Sequence, residues 1–189
     1  MGLIFTNKKT LKNTAVIIFK NQIGDAEITD FDRNITIIKR NDNIVGLNIR
    51  NYKDIFDSKD GVHNLDKEQR RKIEKIIGDN LPQDHFFTVG KVLSRDVHPE
   101  SKELFVLKVQ AEKELQIVTN STNSKPGSKV VVARVGSTLP SGSQISHSKI
   151  MGVDSEGMLC GGQTLNMEPT EGVLLVDSEE LEYGQEFKI

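Results

Sequence analysis

The chain has 189 residues, a formal net charge of −2 and 36% hydrophobic residues, enough for one large or two small domains with a core. No apolar run approaches the roughly 18 residues of a membrane helix. The lone cysteine, Cys160, allows no intrachain disulfide, and with an N-terminus that lacks the pattern of a secretory signal it sets a cytoplasmic location as the expectation.

The first elements in chain order are short and β-branched: 14-TAVIIFK-20, 26-AEITDF-31, 34-NITIIKR-40 and 43-NIVGLNI-49. Turn residues at Gly24-Asp25, Asp32-Arg33 and Asn41-Asp42 separate them at hairpin spacing. The period then changes in 64-NLDKEQRRKIEKIIGDN-80, where Leu65, Ile73, Ile76 and Ile77 fit one helical stripe that Gln69 interrupts. Asn64 or Asp66 is placed to cap the start and Gly78 to end it. The basic run 70-RRK-72 falls on this helix and reads as a solvated face. Pro82 marks a boundary. A small α/β unit, a sheet plus one helix over residues 1–82, is therefore expected before a second domain over 84–189.

That second domain reads as nearly all strand: 87-FTVGKVLSRDV-97, 104-LFVLKVQA-111, 115-LQIVTNS-121, 129-KVVVARV-135 and 173-VLLVDS-178. Short strands at this spacing suggest a small barrel or sandwich, so the chain as a whole is mainly β. Gly90 lies where a long first strand would bulge or bend.

Enzymatic chemistry finds little support. His63, His85, His98 and His147 are scattered without ligand spacing, and a single cysteine makes no zinc motif. No glycine-rich phosphate loop or G-x-S-x-G elbow is present. The expectation is a protein without catalysis, metal or cofactor. General single-strand stacking is also disfavoured, because aromatics are 5% and tryptophan is absent.

Charge is unevenly spread. Residues 115–153 carry Lys125, Lys129, Arg134 and Lys149 and no acid, and local potential rather than net charge governs what a groove attracts. The same stretch supplies the amides and hydroxyls of Asn120, Ser121, Asn123 and Ser148. These groups suit contact to a folded RNA through its backbone and shape.

The pieces 89-VGKVL-93, 98-HP-99, 116-QIV-118, 126-PGSKVVVA-133, 139-LPSG-142 and above all 149-KIMGVDSEGMLC-160 resemble the tRNA-binding OB-fold domain. That domain occurs in the phenylalanyl-tRNA synthetase β subunit, at the C-terminus of many methionyl-tRNA synthetases and in free-standing tRNA-binding proteins. The whole chain is similar to the YtpR-family tRNA-binding proteins of Gram-positive bacteria. The resemblance implies a five-stranded OB barrel that binds tRNA, with no DNA specificity and no membrane. It also implies a homodimer, since free-standing relatives are often dimers.

The resemblance places Lys149 and Ser155 at the groove edge, with Ser155 offering its hydroxyl to a phosphate or 2′-OH. Met158 contacts a base or sugar, or packs. Glu156 accepts loop amides or pairs with Lys149. Together with Lys91, Asn123, Lys125 and Lys129, residues Lys149 and Ser155 are expected to line one RNA-contacting surface. Three departures from the family pattern bear on affinity: 119-TNSTN-123 stands where relatives often have Cys-Gly-Ala-Pro-Asn, 101-SKEL-104 reverses the usual acid-then-Lys order, and Met151 replaces a basic residue. A protein-interaction module is the second function class, with the barrel as scaffold and the acidic tail 168–186 or the N-terminal sheet binding a partner.

Overall fold

The computed structural model describes residues 2–19, 25–83, 85–177, 179 and 181–189. The chain divides into two compact units, Met1–His85 and Phe86–Ile189. No helix among the described residues is long and apolar enough to cross a membrane.

The first unit is built on strands β1 (Leu3–Thr6), β2 (Thr14–Ile18), β3 (Ala26–Asp30), β4 (Ile35–Arg40), β5 (Asn43–Arg50) and β6 (Gly61–Asn64), with helix α1 at Lys67–Ile77. The strands form one sheet in the order β3-β4-β5-β2-β1-β6, every pair antiparallel. Four of the six strands match the β-branched runs. Lys20 and Gly24, expected in a strand end and a turn, lie outside the described residues. The Asn41-Asp42 turn forms with φ of 47° and 63°, the doubly left-handed geometry that matches strand twist in a two-residue hairpin.

Ile4, Ile17, Ile35, Leu47 and Ile49 from the sheet meet Leu65, Ile73 and Ile77 in one core. Asp66 caps the helix in a reciprocal box with Gln69, and Gly78 closes it at φ 69°. Gln69 breaks the apolar stripe because its buried side chain both closes that box and reaches an upstream loop. It accepts from the Asp66 amide at 3.0 Å and donates to the Asp57 carbonyl at 2.8 Å. Two expectations are corrected here. Ile76 is exposed and off the stripe. Arg70 leaves the solvated face to bind Glu74 at 3.0 Å, the Leu81 carbonyl at 2.7 Å and the Pro82 carbonyl.

The second unit holds β7 (Phe87–His98), β8 (Ser101–Gln110), β9 (Glu114–Thr119), β10 (Lys129–Arg134), β11 (Ser148–Ile150), β12 (Val153–Ser155) and β13 (Gly157–Leu159). Five of them pair in the order β13-β10-β7-β8-β9. The two edges of that sheet then approach each other. The Glu156 amide donates to the Gln116 carbonyl at 2.8 Å and the Gln116 side chain to the Asp154 carbonyl at 2.9 Å. The result is a five-stranded, nearly closed barrel around Val92, Leu107, Val109, Ile117, Val130, Val132 and Leu159, the OB architecture the strand spacing and resemblance imply.

The long first strand bends, but not at Gly90. Register shifts fall between Val92 and Ser94 and between Val97 and His98. At Gly90 a Cβ would stand 2.6 Å from Val109 and 2.8 Å from Val132, so glycine is there to let two neighbouring strands crowd the barrel axis. The run 173–178 is not a strand. Its amides divide between two partners, Leu174 donating to Cys160 and Val176 to Lys129, which leaves a single bridge from Leu175 to Val130. Ser178 at its end lies outside the described residues.

Candidate nucleic-acid interface

In OB barrels the face of the second and third strands binds oligonucleotides, flanked by the loop joining strands one and two and the loop joining strands four and five. Here those loops are the turn after His98 and the long connection 135–156 that carries the β11–β12 hairpin. His98 fastens one to the other. Its ring is 2% exposed. Nδ1 accepts from the Glu100 amide at 3.1 Å, which puts the proton on Nε2, and Nε2 donates to the Ile150 carbonyl at 3.0 Å. The hairpin tip itself is Met151-Gly152, at φ 47° and 85°, a turn that twists in the same sense as its strands.

The structure separates the expected surface residues into two kinds. Lys91, Lys125 and Lys149 are exposed, and among the described residues no carboxylate pairs with them. Lys91 stands directly across the β7–β10 pair from Lys129, and Lys125 is tied to the same edge because the Ser128 amide donates to its carbonyl at 3.0 Å. Lys149 is on the hairpin that His98 holds. Lys91 lies seven positions before His98 along β7, about 23 Å at roughly 3.3 Å per residue. The cations thus form two stations and not one continuous patch.

The remaining expectations change character. Ser155 does not present a hydroxyl to solvent. It is 2% exposed, accepts from the Val118 amide at 3.1 Å and donates to the Gly157 carbonyl at 3.1 Å. Closing the barrel turns it inward, so its work is structural. Asn123 is likewise committed: Oδ1 accepts from the Ser121 hydroxyl at 2.5 Å and the Val173 amide at 3.0 Å, and Nδ2 donates to the carbonyls of Glu171 and Val173. Lys129 donates to the Leu181 carbonyl at 2.9 Å and holds the tail. Met158 is half-buried on β13 opposite Ala133. Glu156 pairs with Lys113 at 3.6 Å, not with Lys149, and accepts from the Gln116 amide at 3.1 Å. Cys160 is packed away, and burial pushes its thiol up to about 12 against a smaller opposing pull from a backbone hydrogen bond with Ala133.

One feature escaped the sequence reading. The Arg95 guanidinium lies 3.6 Å over the Phe105 ring and donates to the Thr122 carbonyl at 3.1 Å. Val97 pairs with Phe105 and Arg95 with Leu107, so Arg95 and Phe105 are diagonal neighbours on one face. The register of the β7–β8 hairpin alone brings them together. Beside this stack opens a cleft of about 330 Å³, lined by residues 119–122 and by Leu159, Gly161, Gln163, Thr164, Gly172 and Val173.

Comparison with known proteins adds the following. A family profile described as "Putative tRNA binding domain" matches residues 87–186. The chain is 39% identical over 118 residues to the "Putative tRNA-binding protein YtpR" of Bacillus subtilis (strain 168), covering 61% of this chain and 57% of that protein. It is 34% identical over 149 residues to the phenylalanine–tRNA ligase β subunit of Fusobacterium nucleatum, covering 77% of this chain but 18% of that one. Among solved structures, a methionyl-tRNA-synthetase-related protein from Pyrococcus horikoshii matches at 23% identity and a TM-score of 0.40, over 55% of this chain and 87% of the other. The chain therefore spans little more than half the length of one relative and under a fifth of the other.

Proposed function

The chain belongs to the tRNA-binding domain family, and from that premise we propose that it is a non-catalytic RNA-binding protein whose ligand is tRNA, held by shape and backbone contacts at the barrel. The single observation that supports this best is the coincidence of the family match, residues 87–186, with a barrel whose two groove-flanking loops are locked together by His98. A surface that must meet a rigid, folded RNA gains from loops ordered before binding, because less conformational freedom is lost on association. Lys91, Lys125 and Lys149 supply the phosphate contacts, and no metal or cofactor takes part. In this reading the protein works in the cytoplasm and reads no DNA sequence.

The test is cross-linking in cells followed by sequencing of the RNA that co-purifies. Enrichment of tRNA, with protein cross-links mapping within residues 87–159, is the expected result. Recovery of no RNA, or of mRNA in proportion to its abundance, would sink the proposal. Sizing of the protein with and without tRNA tests the homodimer that the resemblance implies.

A further inference from the structure

We propose that the cleft beside the Arg95–Phe105 stack receives one unpaired nucleotide of the bound RNA, its base entering the cleft and its backbone staying at the lip; this rests on the RNA-binding reading above.

The chemistry of the walls chooses the ligand. No charged side chain lines the cleft, so a phosphate inside it would be desolvated without a counter-charge. The polar groups are amides and hydroxyls: Thr119, Asn120, Thr122, Gln163 and Thr164. Each can donate or accept, which suits the mixed donor and acceptor edge of a base. The volume, about 330 Å³, stands at the small end of the range for small-molecule clefts and fits a nucleoside, not a longer oligonucleotide. Behind the Thr122 wall, the Arg95 guanidinium lies over the Phe105 ring on one face and donates to the Thr122 carbonyl at 3.1 Å. Guanidinium planes and aromatic rings are the surfaces on which single-stranded RNA bases stack.

The walls are also set before any ligand arrives. Asn123 staples the 119–122 wall to the 171–173 wall through four hydrogen bonds. On the third side the Gly162 amide donates to the Thr170 hydroxyl at 2.9 Å and the Thr170 amide to the Gln163 side chain at 3.3 Å. At Gly161 a Cβ would stand 2.7 Å from the Gly172 carbonyl, so these two walls meet backbone to backbone. An assembly this rigid around an uncharged polar space is a receptor for one group of defined size.

The test uses the full chain with three probes at one salt concentration: a tRNA transcript, a fully paired RNA duplex of equal length, and free adenosine or uridine. The variants are Asn120→Ala and Arg95→Lys, each checked for an unchanged melting temperature. The parent should prefer tRNA to the duplex by at least about tenfold. Each variant should lose roughly fivefold to 150-fold on tRNA, the range for loss of one stacked base, with duplex binding unchanged. Asn120→Ala should leave the salt slope as it was.

If both variants bind tRNA like the parent, or if the parent binds duplex as well as tRNA, the cleft does not hold a nucleotide, while the RNA-binding proposal stands. If a nucleoside binds in an Asn120-dependent way but tRNA affinity ignores both variants, the cleft serves a free metabolite and the inference falls. If the parent binds neither RNA, both the function and the inference fail.

Discussion

Ser155 shows how one side chain's register decides its role. Its hydroxyl accepts from the Val118 amide, which points at β12 across the seam that closes the barrel. Ser155→Ala removes the acceptor and leaves a buried N–H unpaired, a loss of about 1–3 kcal/mol. Urea denaturation should show that drop with an unchanged slope, and an unaltered midpoint would place the hydroxyl outside the seam. From sequence the same serine reads as a surface group because it follows a turn. Only the barrel's closure, which depends on contacts almost forty residues apart in the chain, turns it inward. His63 makes a second residue-scale prediction. Burial lowers its pKa below 6.5, while Asp66 pulls it up and Lys59 pushes it further down. The unfolded chain therefore binds the proton more readily than the fold does. Its contribution to stability is fully present above 6.5 and is lost as pH falls through the lowered folded value. Amide protection in the first unit, taken relative to the intrinsic exchange rate at each pH, should fall between pH 7 and 5, and His63→Gln should flatten that dependence. Parallel pH profiles for parent and variant would contradict it.

At the scale of elements, what was legible is what carries a full period. The four β-branched runs announce themselves through composition and turn spacing, and the helix through its apolar stripe, a cap residue and a terminal glycine. Strands β1, β6 and β11–β13 have three or four residues each, too few to show a period of two. The tail 173–178 erred in the other direction: an apolar, β-branched run whose amides go to two different neighbours. The β11–β12 hairpin lies within the 149–160 piece that carries the resemblance, but its attachment was not legible, since His98 lies about fifty residues earlier and stands beside Pro99. That attachment is testable. In His98→Ala, the Ile150 carbonyl and the Glu100 amide both lose their partner. The expected result is faster exchange at hairpin amides and about fivefold to tenfold weaker tRNA binding, with core amides at Val130 and Leu107 protected as before. Uniform loss of protection throughout the barrel would show that His98 supports the core itself, and unchanged exchange would show that the hairpin is held by other contacts.

The molecule as a whole carries a net charge of −2, so its long-range field gives little attraction to a polyanion. Affinity must come from close contact at a few points, and that sets the salt dependence. If Lys91, Lys125 and Lys149 each neutralise one phosphate, the log–log slope of tRNA affinity against salt should lie between about −2 and −3, or roughly twentyfold to fortyfold weakening over a fourfold rise in salt. Lys149→Ala should then reduce the slope by about 0.7–0.9 and weaken binding by roughly fivefold to thirtyfold, at an unchanged melting temperature, because its ammonium has no partner among the described residues. Lys129→Ala should behave differently. Its ammonium holds the Leu181 carbonyl, so its loss should loosen the tail and lower stability while leaving the slope close to the parent's. The comparison between these two lysines carries the test. Twenty residues apart in one acid-free stretch, they were alike in the sequence, and the tertiary hydrogen bond to Leu181 distinguishes them. Equal slopes for the parent, Lys149→Ala, Lys91→Ala and Lys125→Ala would move the phosphate contacts off this face of the barrel altogether.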